Sequence, residues 1–476
     1  MQEIIKSVGI DIGTSTTQLI FSNITVENKA SGYRVPRISI VDKEVVYRSN
    51  IYITPLKSQT EIDAEAVKKI VLGEYKQAGM TYEQVKTGAV IITGDTARKE
   101  NANQVLEALS ELAGDFVVAT AGPDLESVLS ARGAGADVLS EENRTLVVNL
   151  DVGGGTTNIA AYKRGELLGT CCLDIGGRLI KIERGIITYV FPKIKELAKS
   201  VGITINVGDR ADEGQLEKVT DAMAAQLAQA VNLAVRSSNH NMFYTNNGKP
   251  LPTDMEIRAL TFSGGVADYV YNVADSDYYR YGDVGPLLGR SIVKNNDISK
   301  VTLFTAAETI RATVVGAGTH TTEVSGSTIA YAKDILPVKN IPILRVSEED
   351  EEQLAAISES IRRQIPLFIT ENKLEQIAIS FTGKRYTSFK NIQALAAAVI
   401  EGAKEVQNNK LPLIVVVETD IGKVLGNAMQ LLLGDDLKVV CIDGIRTLSG
   451  DYVDIGEPIA GGHVVPVVIK TLIFNS

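Results

Sequence analysis

Gly9-Ile10-Asp11-Ile12-Gly13-Thr14-Ser15-Thr16-Thr17-Gln18-Leu19 is echoed by Asn149-Leu150-Asp151-Val152-Gly153-Gly154-Gly155-Thr156-Thr157-Asn158-Ile159, with the two aspartates 140 positions apart. In each copy an aliphatic run carries an aspartate into a turn of glycine and hydroxyl residues. A second aliphatic run then leaves the turn, which is the pattern of a β-hairpin with a glycine tip. A unit that recurs at this distance implies one lobe present twice.

Outward from each hairpin, strand and helix signals alternate, so both lobes read as α/β. In the first lobe, 89–93 reads as a strand, 101–112 as a helix and 116–119 as a strand. An insertion at about 22–88 has strand signals near 33–52 and a helix near 62–77. In the second lobe Leu216, Val219, Met223, Leu227 and Ala230 fall at helical spacing, with Glu217, Lys218 and Gln226 expected to face away. A third tract begins near 337. There Ser347 precedes Glu348, Glu349, Asp350, Glu351 and Glu352, which reads as a cap and a solvated acidic first turn. Segments 413–417, 420–433 and 437–442 follow as strand, helix and strand. The expected organisation is 1–135 for lobe I with its insertion, 136–336 for lobe II, and 337–476 for an additional α/β region.

At 476 residues the chain is long enough for several cores. Its three cysteines, Cys171, Cys172 and Cys441, form neither a disulfide framework nor a metal spacing. His240, His320 and His463 are too scattered for a histidine metal cluster or a Ser-His-Asp triad. A net charge of −10 argues against a nucleic-acid partner, which requires clustered Lys and Arg. Neither a leader nor a membrane-length apolar run stands out, so a soluble cytoplasmic protein is expected.

Backbone can approach phosphate oxygens only where side chains are absent, so glycine turns that present N–H groups suit a polyphosphate. Gly13, Gly153, Gly154 and Gly155 supply that access, and Thr14, Ser15, Thr16, Thr156 and Thr157 add hydroxyl donors. An aspartate beside each turn would repel a bare polyphosphate. With Mg²⁺ and its waters in between it becomes favourable, so Asp11 and Asp151 point to metal-bound ATP. Thr261-Phe262-Ser263-Gly264-Gly265-Val266-Ala267 is a third site, a strand ending in paired glycines against which adenine or ribose could lie.

This ordered set resembles the actin, hexokinase and heat-shock chaperone superfamily. Its phosphate-1 motif corresponds to 8–21, connect-1 to about 89–108, phosphate-2 to 147–162, adenosine to 260–271 and connect-2 to about 307–318. The resemblance implies two ribonuclease H-like ATPase lobes around a nucleotide cleft, with Mg²⁺ near Asp11 and Asp151 and adenosine near Ser263, Gly264, Gly265 and Val266. Ala312, Gly316, Ala317 and Gly318 in connect-2 would let helices from opposite lobes cross closely. The chaperone branch places a water-positioning glutamate before a proline after connect-1. Here Gly122 precedes Pro123, which leaves Asp124 or Glu126 as displaced candidates and implies slow or partner-stimulated hydrolysis.

Longer strings narrow the resemblance. Ile91-Ile-Thr-Gly-Asp-Thr-Ala-Arg-Lys-Glu-Asn-Ala102, Gly316-Ala-Gly-Thr-His-Thr-Thr-Glu-Val-Ser-Gly326 and the ending from Asp454 to Phe474 resemble the ethanolamine ammonia-lyase reactivating factors. That family implies ATP-dependent expulsion of damaged cobalamin from an adenosylcobalamin enzyme, the lyase being the partner and ATP/ADP the ligands. It also allows for a homo-oligomer and for a place in a bacterial microcompartment. A sugar-type kinase and a polymerising actin-like protein share the same motifs and stay open on the residues alone.

Overall fold

The computed structural model describes residues 2–13, 16–28, 38–58, 61–93, 101, 105, 109, 117–120, 123–245, 248–272, 277–320, 322–325, 329–332, 335–370, 373–434, 437–448 and 451–471. Thr14, Ser15, Gly122 and most of the connect-1 stretch lie outside them. Among the described residues the architecture is mixed α/β with three principal sheets.

Strand Gln2–Ile12 turns through the first glycine tip into Thr16–Asn28, and the two pair antiparallel with Asp11 opposite Gln18. Ile38–Arg48 continues the sheet on that side, antiparallel to Thr16–Asn28. On the other side Val85–Ile92 and then Val117–Thr120 add in parallel. The second sheet repeats this plan. Leu146–Val152 pairs antiparallel with Thr157–Lys163 and through it with Glu166–Leu173, while Ala259–Ser263 and Thr302–Leu303 add in parallel on the far side. The same order and the same strand directions in both sheets are the structural counterpart of the repeated motif.

The 22–88 stretch, expected as an insertion, supplies the edge strand of the first sheet and the helix that covers it. That helix, Ala64–Ala78, is capped by the Asp63 side chain on Ala66 N and stops at Gly79, whose φ of 64° favours glycine. Val67, Val71 and Tyr75 recur every fourth residue and bury against Val8, Ile10, Leu19 and Phe21.

Each sheet is completed by a helix from the far end of the other lobe. Helix Pro123–Gly133 packs on the second sheet, where Ala131 joins Ala160 and Tyr162, and Ala312–His320 packs on the first, where Val314 meets Ile20. The helices cross with almost no side chain between them. A methyl group on Gly133 would fall 1.8 Å from the Ala312 carbonyl oxygen, and one on Gly316 1.9 Å from that of Leu129. The expected close crossing at Gly316 is therefore present, with Gly133 as its unforeseen partner.

In lobe II, helix Glu213–Ala230 buries the expected stripe. Gln226 is a correction: it is buried rather than solvent-facing, because its Oε1 lies 2.7 Å from Nδ1 of the fully buried His240, which needs a polar partner there.

Among the described residues the third sheet has eight strands. Its parallel core of Val338–Arg345, Ala378–Phe381, Leu413–Val417 and Val439–Asp443 is flanked by antiparallel strands. The sheet already includes Thr322–Val324 and Ala330–Tyr331, ahead of 337. Val468 packs with Ala89, Ile91, Leu129 and Ala317, which joins this region to lobe I. The acidic run is also a correction. Ser347 caps a short turn at Asp350, but Glu351 is buried and accepts from Thr382 N, Thr382 Oγ1 and Gly383 N at 2.6, 2.6 and 3.0 Å.

Candidate functional site

Alternation along each hairpin sends Val8, Ile10 and Ile12, or Val148, Leu150 and Val152, into the lobe core. Asp11 and Asp151 are left on the opposite face, where the lobes meet. The turns close identically: Gly13 N donates to Thr16 O at 2.9 Å and Gly153 N to Thr156 O at 3.0 Å.

Both carboxylates are buried, and each accepts from a hydroxyl at the end of the neighbouring parallel strand. Thr93 Oγ1 donates to Asp11 Oδ1 at 2.9 Å, and Ser263 Oγ donates to Asp151 Oδ1 at 2.7 Å. Ser263 belongs to a wholly buried chain in which Thr261 Oγ1 donates to Asn149 Oδ1 and Asn149 Nδ2 to Ser263 Oγ, both at 3.0 Å. Ser263, expected to face adenosine, thus also orients Asp151.

The structure brings the two aspartates together. Burial pushes the Asp11 carboxyl up to about 7, the Thr93 hydrogen bond opposes this, and the charge of Asp151 adds to it. Burial likewise raises Asp151 to about 6 against the Ser263 hydrogen bond.

The surroundings fit a hydrated divalent cation. Gln18 stands opposite Asp11 and Asn158 opposite Asp151 in the strand ladders. Gln18 Oε1 and Asn158 Oδ1 are both buried acceptors with no donor among the described residues. Waters on Mg²⁺ are suitable donors, since this ion keeps several waters and takes only one or two carboxylates. Among the described residues no group of three or more His, Cys, Asp or Glu could hold a metal by itself.

Gly153 and Gly154 carbonyls are tied down by Gly177 N and Arg178 N at 2.9 and 2.7 Å, and since Gly153 N closes the turn, the N–H groups of Gly154 and Gly155 are the ones to offer a ligand. Thr157, expected to contact nucleotide, instead donates its hydroxyl to Ile175 O at 2.7 Å and is fully buried; it braces the turn. Gly264 takes a φ of 83° and packs on the Val152 backbone, so the third glycine site abuts the second hairpin. Val266 N donates to Val152 O at 3.1 Å, and Gly265 has open space where a Cβ would stand.

Asp124 and Glu126 lie in the first turn of the crossing helix. Asp124 Oδ1 accepts from Thr170 Oγ1 at 2.5 Å, which holds it to the outer strand of the second sheet. Glu126 lies within electrostatic reach of Cys172, the residue paired with Asn158.

The start of the stretch read as connect-2 makes contacts between the lobes that were not foreseen. Gln18 Nε2 donates to Ile310 O at 3.1 Å and Arg311 Nη2 to Ser49 O at 3.1 Å, while Arg48 pairs with Glu308 at 2.5 Å. On the other side Gly264 N donates to Thr309 O at 3.1 Å. The segment 308–311 therefore touches both the first hairpin and the adenosine-motif glycine.

The profile of the family described as "Ethanolamine utilisation protein EutA" matches residues 3–475. This chain belongs to the EutA family. Among EutA relatives, the ethanolamine ammonia-lyase reactivase EutA of Salmonella typhimurium is 36% identical over 472 residues, covering 99% of this chain and 98% of its own. The Escherichia coli reactivase of the same name is 35% identical over the same shares. Of solved structures, an Aquifex aeolicus Ppx/GppA family member aligns with 66% of this EutA-family chain and 97% of its own, at 16% identity and a TM-score of 0.40. MreB 5 of Spiroplasma citri bound to AMPPNP aligns with 66% and 95%, at 14% identity and a TM-score of 0.32.

Proposed function

We propose that this chain is an ATP-dependent reactivase of ethanolamine ammonia-lyase, built on two actin-type lobes. The function rests on full-length identity with the two reactivases. The ATPase reading is carried by one observation: two matched glycine turns present Asp11 and Asp151 within electrostatic reach of each other.

In this reading the N–H groups of the turns bind phosphate. Asp11 and Asp151, with Gln18 and Asn158 beside them, would hold Mg²⁺, which would supply neutralisation of phosphate charge. Asp124 or Glu126, both in the first turn of the crossing helix, orients the attacking water. Gly264, Gly265 and Val266 take the adenosine. The chain acts in the cytoplasm; among the described residues no helix is long and apolar enough to cross a membrane.

A cofactor held at nanomolar affinity is bound by about 12 kcal/mol, and a thousandfold faster escape requires weakening its hold by about 4 kcal/mol. Two nucleotide states that bind the lyase differently can supply that difference. The crossing at Gly133 and Gly316 provides the pivot for the two states.

The test is lyase inactivated with cyanocobalamin, incubated with this protein and Mg-ATP, then given fresh adenosylcobalamin. Activity should return with the wild type and stay absent with Asp11→Asn. Full recovery with Asp11→Asn would defeat the proposed site, and no recovery with the wild type would defeat the function.

A further inference from the structure

Neither glycine turn carries a lysine or arginine, although a triphosphate on Mg²⁺ retains net negative charge. The structure brings one cation to the second turn from outside the motif. Arg178 follows Ile175-Gly176-Gly177, just beyond the third strand of the second sheet. Its backbone N–H donates to Gly154 O at 2.7 Å, and its stem lies along Gly154, where a methyl group would come within 3.2 Å of Cδ. Gly154 thus leaves room for the arginine stem.

Arg178 Nε donates to Asp283 Oδ2 at 3.3 Å. Asp283 is buried and anchored through its other oxygen, which accepts from Gly285 N at 2.8 Å. Among the described residues this is its one side-chain hydrogen bond; it steers the guanidinium and leaves both Nη groups for another acceptor, and the side chain is 42% exposed. Nearby Lys193, by contrast, is committed to Asp174 at 2.5 Å. A planar fork held at its Nε end is suited to two oxygens of one phosphate.

We propose that Arg178 is the phosphate-charge partner of the nucleotide site, binding the terminal phosphates of ATP beside Gly154. This rests on the nucleotide reading given above. The residue discriminates ATP and ADP from AMP and adenosine.

The test is calorimetric titration of wild type, Arg178→Gln and Arg178→Lys with Mg-ATP, AMP and adenosine. Loss of charge-assisted hydrogen bonds should weaken ATP roughly 10- to 100-fold in Arg178→Gln, with partial recovery in Arg178→Lys. Adenosine and AMP should bind all three within about twofold. Equal loss for ATP and adenosine would show only a structural role and overturn the assignment, as would unchanged ATP affinity in Arg178→Gln. If the wild type takes up no adenine nucleotide, the nucleotide reading itself falls and takes the assignment with it.

Discussion

Gly133 faces the backbone of Ala312 so closely that a methyl group would sit 1.8 Å from the Ala312 carbonyl oxygen. The obstacle is backbone, which cannot rotate away. Gly133→Ala and Gly316→Ala should each destabilise the protein by about 1–3 kcal/mol in urea unfolding. Gly73, on helix Ala64–Ala78 with nothing within 4 Å of its absent Cβ, is the control. Gly73→Ala should stabilise by about 0.5–1 kcal/mol. A neutral Gly133→Ala would mean that the helices are not locked together by this contact.

Asp11 and Asp151, raised to about 7 and about 6, carry protons near neutrality that a metal-bound nucleotide must displace. Mg-ATP uptake should therefore release protons at pH 6, and affinity should climb as pH rises to about 7 and then level off. In the unliganded protein the sign is opposite. The folded state holds these protons more tightly than the unfolded chain, so their stabilisation is complete below about pH 4 and is lost as pH rises through 6 to 7. Titrations in buffers of different ionisation enthalpy count the protons, and Asp11→Asn should remove the larger part.

His240 is buried between Gln226 and Tyr244, and burial lowers its pKa to about 4, with Arg236 adding to the effect. Above about pH 6.5 both folded and unfolded states are neutral, and its contribution is complete. As pH falls from 6.5 towards 4, the unfolded chain takes up a proton that the folded site refuses, so stability is lost. The wild type minus His240→Gln difference in unfolding free energy should shrink over that window, by at most about 1.4 kcal/mol per pH unit. A flat difference would show that the ring is not held neutral.

Gln18 joins the first hairpin to the segment 308–311, whereas Arg48–Glu308 ties the neighbouring strand Ile38–Arg48 to it near the surface, with Arg48 44% exposed. Removing the buried partner leaves Ile310 O unpaired, so Gln18→Leu should cost about 1–3 kcal/mol. Glu308→Ala should cost under about 1 kcal/mol. Gln18→Leu should also weaken Mg²⁺-dependent nucleotide binding by roughly tenfold, from loss of one water-accepting oxygen. Calorimetry with and without Mg²⁺ checks both effects; equal losses in the two variants would contradict this ranking.

The hairpins were legible because a glycine tip and an aspartate carried by an aliphatic run form a purely local signal, and the same is true of the stripe from Leu216 to Ala230. What lay beyond reading depends on pairings distant in sequence. Gly9 reads as an ordinary strand residue, yet a Cβ there would sit 2.5 Å from Val314 O. Arg178 acquires its place only when the strand Glu166–Leu173 returns to the hairpin, though the Gly176-Gly177 pair before it was a usable hint. Glu351 looked solvated because its acceptors' donors, Thr382 and Gly383, lie some 30 residues away.

The exchange of crossing helices has a consequence for how the chain matures on the ribosome. Ser7 and Gly9 of the first strand are covered by residues of the helix Ala312–His320, including the 2.6 Å bond from Ser7 Oγ to Gly318 O. The amino-terminal half therefore emerges with an unfinished surface, and we expect nascent chains shorter than about 320 residues to be protease-sensitive and chaperone-dependent. The two halves should acquire native resistance to digestion together, late in synthesis.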